Sequence, residues 1–259
     1  MPDLNLRLIL TAPPDSVTAA QGYGLPVAHM AYRLGPGLRL LRAQLPLTAR
    51  GGLMLIGDED FDGSGDPALF CQEVIKECAA RGFDGVMLDL ERPVSPLLGK
   101  VVSELSALLV KRGWPLFVPE EYARFAEKSR VMISSALSGG SLAQRLEEAV
   151  RQYGPARIAL CVERTAEDFY LPAPEGRGAP LTRENLRRRI AERSPTVFYS
   201  KELCARYFTY MSRQSGAHFV MFDDAETMRR KLLLADSLNI RSAILAYPQV
   251  DDLLDEILA

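Results

Sequence analysis

The stretch that decides the fold is Phe83-Asp84-Gly85-Val86-Met87-Leu88-Asp89-Leu90-Glu91-Arg92-Pro93, an apolar segment that ends in two carboxylates. Side chains two apart on a strand share a face, so Met87, Asp89 and Glu91 point one way and the intervening apolar residues point the other. This alternation is typical of a barrel strand, whose apolar face packs under a helix while its other face points to the barrel axis. It predicts that Asp89 and Glu91 lie at the carboxyl end of the strand, where such barrels hold their active sites. Two carboxyl groups in one partly buried place repel each other, which raises one pKa and leaves the other group ionised.

The rest of the chain alternates apolar strand-like runs with helical patterns, which predicts parallel βαβ units. With 259 residues, the chain has the length of one (β/α)8 TIM barrel, about 250 residues, so a single domain, 1–259, is expected. The predicted strands are Leu4–Leu10, Val27–Arg33, Leu53–Gly57, Asp84–Glu91, Leu116–Val118, Val131–Ser135, Arg157–Glu163 and Ser242–Tyr247. The predicted helices are Pro67–Arg81, Ser95–Arg112, Ser141–Tyr153, Thr182–Arg193, Ala225–Leu238 and Val250–Leu258. The segment 194–224, rich in Phe, Tyr and Ser, predicts a small β-rich insertion before the last helix and strand.

Composition disfavours several classes of function. The formal charge is −2 with acidic and basic residues interspersed, so no field is expected that would attract nucleic acid or an anionic membrane. The apolar run Leu8–Ala12 is too short and too poorly flanked for a signal peptide, and no apolar stretch reaches the roughly 18 residues of a membrane span. A cytoplasmic protein is therefore expected. The chain has two histidines and four cysteines without metal-binding spacing, so neither a metal nor another cofactor is expected.

The fourth predicted strand resembles the signature Asp-Gly-x-Asp-x-Asp-x-Glu of the chitinase-like enzymes of glycoside hydrolase family 18. Asp84, Gly85, Asp89 and Glu91 match this signature, and Met87 stands in place of its middle Asp. The resemblance implies a TIM barrel and an active site at the end of this strand.

A second resemblance lies near the C-terminus and is less specific. Phe222-Asp223-Asp224-Ala225, then Lys231 and a final strand, follow the order of the family's Phe/Tyr-Asp-Asp, Lys and last strand. Two family features are missing. The Met-x-Tyr-Asp of the sixth strand falls at Met132-Ile133-Ser134-Ser135, and the Trp of the last strand falls at Ala246.

The resemblance also implies a reaction and a substrate. Glu91 would protonate the glycosidic oxygen, and Asp89 would orient the N-acetyl group of the sugar. The acetamide oxygen of the substrate would then attack the anomeric carbon with net retention. The implied substrate is a β-linked glycan that contains N-acetylglucosamine, such as a chitin oligosaccharide or a peptidoglycan-like chain. Ser134 would stand where the family has the tyrosine that positions the acetamide.

Two alternatives remain open from the sequence. Glu163 ends the seventh predicted strand and could be the nucleophile of a two-glutamate retaining mechanism, with the two carboxyl groups roughly 5–5.5 Å apart. Alternatively, the departures at Met87, Ser134, Ser135 and Ala246 could mark a barrel without activity that binds a glycan or a protein partner.

Three further residues are predicted to contact a sugar. Asp58 and Glu120 follow the third and fifth strands and could bind sugar hydroxyls, because polar residues in these loops line the mouth of a barrel. Tyr247, near the end of the last strand, could stack on a sugar face. A carbohydrate is therefore the expected partner, while the oligomeric state is not indicated.

Overall fold

The computed structural model describes residues 5–43, 50–137, 139–172, 178–213 and 215–259. Leu4, the first residue of the first predicted strand, lies outside these ranges. The described strands are β1 (Arg7–Ala12), β2 (Val27–Gly35), β3 (Arg39–Arg42), β4 (Leu53–Gly57), β5 (Gly85–Asp89), β6 (Leu116–Pro119), β7 (Arg130–Ser134), β8 (Ile158–Cys161), β9 (Ala166–Leu171), β10 (Ala179–Pro180), β11 (Phe198–Ser200), β12 (Ala205–Ser212), β13 (Gly216–Phe222) and β14 (Ser242–Ala246).

The described helices are α1 (Val17–Gln21), α2 (Pro67–Arg81), α3 (Pro96–Val110), α4 (Leu142–Tyr153), α5 (Arg183–Arg193), α6 (Ala225–Ser237), α7 (Tyr247–Val250) and α8 (Leu254–Leu258). Two 3-10 helices, Glu120–Phe125 and Pro155–Arg157, precede β7 and β8. Within the described ranges, no helix is both long and apolar enough to cross a membrane.

Eight parallel strands close into a barrel, which confirms the predicted fold. The order around the barrel is β1, β2, β4, β5, β6, β7, β8 and β14, and β1 pairs with both β2 and β14 to close it. All eight strands coincide with predicted strands, apart from a few terminal residues. The β-rich insertion before α6 and β14 is also confirmed.

The alternation of side chains along β5 is as predicted. Met87 lies inside the barrel in a cluster with Leu55, Phe117 and Ile244. The residues of opposite parity, Val86 and its neighbours Leu88 and Leu90, pack in the layer that also holds the apolar faces of α2 and α3. A slip of one residue would move Val86 and Leu88 into the barrel interior and turn Asp89 under the helices, where its charge would be buried. The register of β5 therefore places Asp89 on the interior side.

Local signals fix the ends of the two helices that flank β5. Asp66 caps α2 by accepting from the Ala68 N–H, and Pro67 occupies the first turn. The helix ends at Gly82, whose φ of 74° lies in the left-handed region that favours glycine. Ser95 caps α3 in the same way by accepting from the Leu98 N–H.

The second sheet is antiparallel, with strand order β10, β9, β13, β12 and β11. Helix α5 covers one face, where Leu186 packs with Phe208 and Val220. This unit begins at Ala166, earlier than the predicted start at residue 194, and it includes the helix predicted at Thr182–Arg193. The difference arises because β9 pairs with β13, about fifty residues later in the chain, and no local pattern reveals such a pairing.

Two smaller differences concern the barrel. Strand β3 folds back antiparallel on β2 after the turn around Gly37, whose φ is 67°, and was not predicted. The predicted helix Val250–Leu258 is divided into α7, which begins directly after β14, and α8.

Candidate active site

A cavity of about 340 Å³ opens at the carboxyl ends of the barrel strands. Its floor consists of side chains from the barrel interior, including Met87, Met132 and Ile244. Its rim has three carboxylates, namely Asp89, Glu91 and Glu163. The closed barrel therefore brings together the two acids predicted after the fourth strand and the one predicted after the seventh.

The pKa of Asp89 is raised, as expected for a carboxylate that lies near other carboxylates. Partial burial raises the pKa of Asp89, and the charge of Glu91 raises it further. Three more carboxylates act in the same direction, namely Glu59, Asp58 and Glu163. Asp89 is nevertheless exposed to solvent at the cavity, so its desolvation is incomplete. Asp89 therefore keeps a proton to a higher pH than an ordinary aspartate.

Asp58 holds the backbone that carries Glu91. Its side chain is 1% exposed, and its two oxygens accept from the N–H groups of Glu91 and Arg92, each at 3.1 Å. The position of Asp58 does not support the prediction that it binds sugar hydroxyls, because its carboxylate is buried under the loop. Asp58 is instead a positioning residue for the segment after β5.

The backbone of Glu163 is held by two hydrogen bonds. Its N–H donates to Ser135 Oγ at 3.0 Å, and its C=O accepts from Lys231 Nζ at 3.3 Å. Lys231 also contacts Asp223 Oδ2 at 2.8 Å, and both side chains are almost completely buried, at 1% and 0% exposed. The same Asp223 oxygen accepts from the Thr165 N–H and hydroxyl. This buried pair therefore fixes the chain where it leaves the barrel after β8.

Three other residues that were predicted to contact the sugar do not line the cavity, namely Glu120, Ser134 and Tyr247. Glu120 binds Arg145 and accepts from the Tyr153 hydroxyl at 3.3 Å, so it joins its 3-10 helix to α4. Ser134 lies at the exposed end of β7 and accepts from the Ala136 N–H at 3.0 Å.

Tyr247 begins α7, and its ring lies 6.2 Å from that of Tyr23 on the outside of the barrel mouth. Strand parity explains its position, because Ala246 takes the inward place. The predictions that Glu120, Ser134 and Tyr247 contact the sugar directly are not supported by these positions.

Two polar residues that line the cavity were not predicted. Thr11 is the penultimate residue of β1, and Gln249 extends over the rim from α7. Thr11 could have been inferred from its place at the end of a barrel strand, whereas Gln249 depends on how α7 turns. None of the described residues that line the cavity is aromatic.

A second cavity of about 420 Å³ adjoins the first and shares Glu163 and Gln249 with it. Its other wall is α5, from which Arg183 and Arg187 pair with Asp251 and Asp252 beside α7. The small sheet and its helix therefore extend the barrel mouth on the side of Glu163.

A nucleophile other than a carboxylate is disfavoured inside the cavity. Burial raises the pKa of the Cys161 thiol to about 12, so it stays protonated and unreactive. Among the described residues, no group of three or more His, Cys, Asp or Glu side chains is arranged to hold a metal ion. The arrangement can supply acid and base chemistry from carboxyl groups.

Comparison with known proteins identifies the fold. The chitinase of Chromobacterium violaceum has a TM-score of 0.69 at 14% identity over 93% of this chain and 94% of its own. This is the chitinase-like fold of glycoside hydrolase family 18. The Group IV chitinase of Ostrinia furnacalis has a TM-score of 0.67 at 11% identity over 98% of this chain and 100% of its own. The spore cortex-lytic enzyme SleL of Bacillus megaterium has a TM-score of 0.67 at 14% identity over 95% of this chain and 71% of its own. No family model matches the sequence, and no curated protein is similar to it in sequence.

Proposed function

We propose that the protein hydrolyses a β-linked glycan that contains N-acetylglucosamine, with Glu91 as the general acid and base and Asp89 as its partner. The observation that supports this most is the placement of both carboxyl groups at and just after the end of β5, over an open cavity. Likeness of fold to chitinases and to a spore cortex-lytic enzyme is consistent with this substrate class.

In the proposed reaction, Glu91 donates a proton to the glycosidic oxygen as the bond to the leaving sugar breaks. The acetamide oxygen of the substrate attacks the anomeric carbon, so the protein need not supply a nucleophile. Asp89 accepts a hydrogen bond from the acetamide N–H and stabilises the positive charge that develops on the cyclised group. Glu91 then removes a proton from the water that opens this intermediate, which gives retention.

A second candidate function is binding without hydrolysis. It is favoured by Ser134, whose hydroxyl is engaged by the Ala136 N–H and is not in the cavity. It is also favoured by the absence of aromatic side chains among the described residues of the cavity wall. In this case the cavity would hold a glycan without the groups that orient its acetamide.

Glu91→Gln tests the proposal. We expect turnover of acetylated chitin and peptidoglycan-type oligosaccharides to fall at least about 100-fold, because general acid catalysis typically supplies 10²–10⁴. Asp84→Asn is the matched control, because Asp84 precedes the same strand at its opposite end and is exposed. Its activity should equal that of the unmodified protein.

The outcomes separate the two candidates. Equal turnover by the Glu91→Gln variant would remove Glu91 from the mechanism. Saturable binding of an oligosaccharide without turnover by the unmodified protein would favour the second candidate.

A further inference from the structure

A second group of reactive side chains lies on the small sheet. Asp168 belongs to β9, His218 belongs to β13, and Ser215 precedes β13 in the hairpin from β12. Ser215 Oγ is 2.7 Å from His218 Nε2, and His218 Nδ1 is 2.9 Å from Asp168 Oδ1. These distances match the pattern of an activated nucleophile, in which a serine contacts a base and a third group orients that base. None of the three lines either cavity at the barrel mouth.

The surroundings of Asp168 determine the tautomer of His218. Burial raises the pKa of Asp168, but hydrogen bonds from Arg189 and His218 outweigh it and hold that pKa below its usual range. An ionised carboxylate only accepts, so the proton of a neutral His218 must be on Nδ1. Nε2 is then the acceptor, and the Ser215 hydroxyl donates to it. This is the protonation state in which a histidine can remove the serine proton.

The histidine is also held in place. Its ring stacks on Tyr210 with centroids 4.5 Å apart and planes 6° apart, and Tyr170 contacts it edge-on at 5.8 Å. Arg189 binds the second oxygen of Asp168 and donates to the Tyr210 hydroxyl at 2.8 Å. The Asp168 side chain is 6% exposed and that of His218 is 11% exposed, whereas Ser215 is only partly buried. The aspartate is therefore buried and the histidine nearly so, and the serine at the end of this chain of contacts lies where solvent can reach it.

We propose that Ser215, with His218 as its base and Asp168 as a positioning residue, is a nucleophile that takes the acyl group of a small, exposed carboxylic ester. This activity is independent of the barrel site, because none of its three residues contacts Asp89 or Glu91.

The chemistry balances without a co-reactant other than water. Ser215 Oγ attacks the ester carbonyl carbon, and its proton moves to His218 Nε2. The bond to the alcohol oxygen breaks, and the alcohol leaves with the proton from His218. Water then attacks the acyl-serine with His218 again as the base, which releases the carboxylic acid and restores the serine.

The local backbone limits which esters react. The Ser215 N–H donates to Ser212 Oγ at 3.3 Å, so this group is not free to stabilise an oxyanion. One lost oxyanion donor lowers a rate by about 10²–10³. We therefore expect reaction with activated acetyl esters, such as 4-nitrophenyl acetate, rather than with amides.

A fluorophosphonate reagent with peptide mapping tests the proposal on the intact protein. We expect a single phosphonylated residue, Ser215, and no labelling of protein unfolded in urea. Ser215→Ala should lose the label and the hydrolysis of 4-nitrophenyl acetate. His218→Gln should lower the labelling rate at least about 100-fold, because glutamine can keep both hydrogen bonds but cannot act as a base.

The second variant separates catalysis from a structural role of the cluster. If His218→Gln is folded and labels Ser215 at the unmodified rate, the cluster only stabilises the hairpin and the proposal is wrong. Absence of label on Ser215 in the unmodified protein would also overturn it. Glu91→Gln should label normally, so failure of the glycosidase proposal and failure of this one are distinguishable.

Discussion

At the scale of single residues, Asp89 combines a stability cost with the chemical role that we propose for it. Its pKa in the folded protein is raised above the ordinary value of 3.8, chiefly by burial and by Glu91. The folded state therefore binds the Asp89 proton more tightly than the unfolded state does. This tighter binding adds to the free energy of unfolding, and its contribution is fully present below the pKa that Asp89 has in the unfolded state. It is lost as the pH rises through the folded pKa, so ionised Asp89 destabilises the protein at neutral pH.

Asp89→Asn should therefore stabilise the protein while it impairs turnover. We expect the gain in the free energy of unfolding to be largest at about pH 7 and to shrink toward pH 4, where Asp89 in both states gains its proton. Urea unfolding at several pH values measures this difference. Asp84→Asn is the control and should show no such pH dependence. A variant that is less stable than the unmodified protein at neutral pH would contradict the assignment.

Asp58 shows that the presence of a polar residue at the end of a barrel strand does not reveal what its side chain binds. The sequence predicts polar residues at the barrel mouth, and Asp58 is there. Whether its carboxylate faces a ligand or the backbone depends on the loop after the neighbouring strand, which folds over it so that Glu91 and Arg92 donate to it. By contrast, Asp89 was predictable because strand parity determines its side, and Glu91 keeps that side in the segment after β5, which Asp58 holds.

Asp58→Asn should lower turnover and stability together. An amide has one accepting oxygen and would turn an N–H toward the backbone N–H of Glu91 or Arg92, leaving a buried donor unsatisfied at a cost of about 1–3 kcal/mol. We expect kcat to fall more than KM changes, because Asp58 positions Glu91 and is buried away from the cavity. Asp60→Asn is the matched control, since Asp60 is in the same loop but pairs with Arg33 at the surface. Equal effects of the two substitutions would argue against a positioning role.

At the scale of elements, predictions succeeded where the pattern was local. Helix α2 has the predicted bounds because Asp66 and Gly82 mark its two ends, and the barrel strands follow from apolar runs. Strand β9 was missed because Glu167 and Asp168 leave it only a short apolar run, Phe169–Leu171. It is recognised as a strand by its pairing with β13 and β10. Non-local pairing is therefore the main information that the sequence pattern does not provide.

The buried pair of Lys231 and Asp223 joins α6 to the exit of β8, and its loss should be costly. Lys231→Met leaves Asp223 buried without its cation, and breaking such a pair costs about 3–5 kcal/mol. The Thr165 and Thr227 groups that still donate to Asp223 favour the lower end of this range. Urea unfolding measures the change.

Arg230→Met is the matched control because it removes the neighbouring cation, which pairs with Glu226 at the surface of the same helix. Exposed pairs of this kind contribute about 0–1 kcal/mol. Similar losses for the two variants would show that burial of the Lys231 pair is not what stabilises this junction.

At the scale of the whole molecule, closure of the barrel creates the site. Strands β5 and β8 are not neighbours, since β6 and β7 lie between them. Only a closed ring of parallel strands brings their carboxyl ends over one cavity, with Asp89 and Glu91 on one side and Glu163 on another. The sequence predicted both strand ends but not how close they lie, because their distance depends on the tilt and packing of all eight strands.

Glu163→Gln separates the two mechanisms that this geometry allows. In the substrate-assisted reaction Glu163 is not a nucleophile, so the variant should retain most turnover, a thiazoline mimic of the cyclised acetamide should inhibit, and substrates without the 2-acetamido group should be inert. Because Glu163 raises the pKa of Asp89, its neutralisation should also lower that pKa and shift any pH–rate limb that reports Asp89 toward acid. Glu167→Gln is the matched control, since Glu167 lines only the adjoining cavity.

In a two-glutamate mechanism the carboxylate of Glu163 would attack the anomeric carbon itself. Loss of turnover in Glu163→Gln, together with cleavage of non-acetylated glucosides by the unmodified protein, would therefore assign the nucleophile to Glu163 and reject the substrate-assisted route.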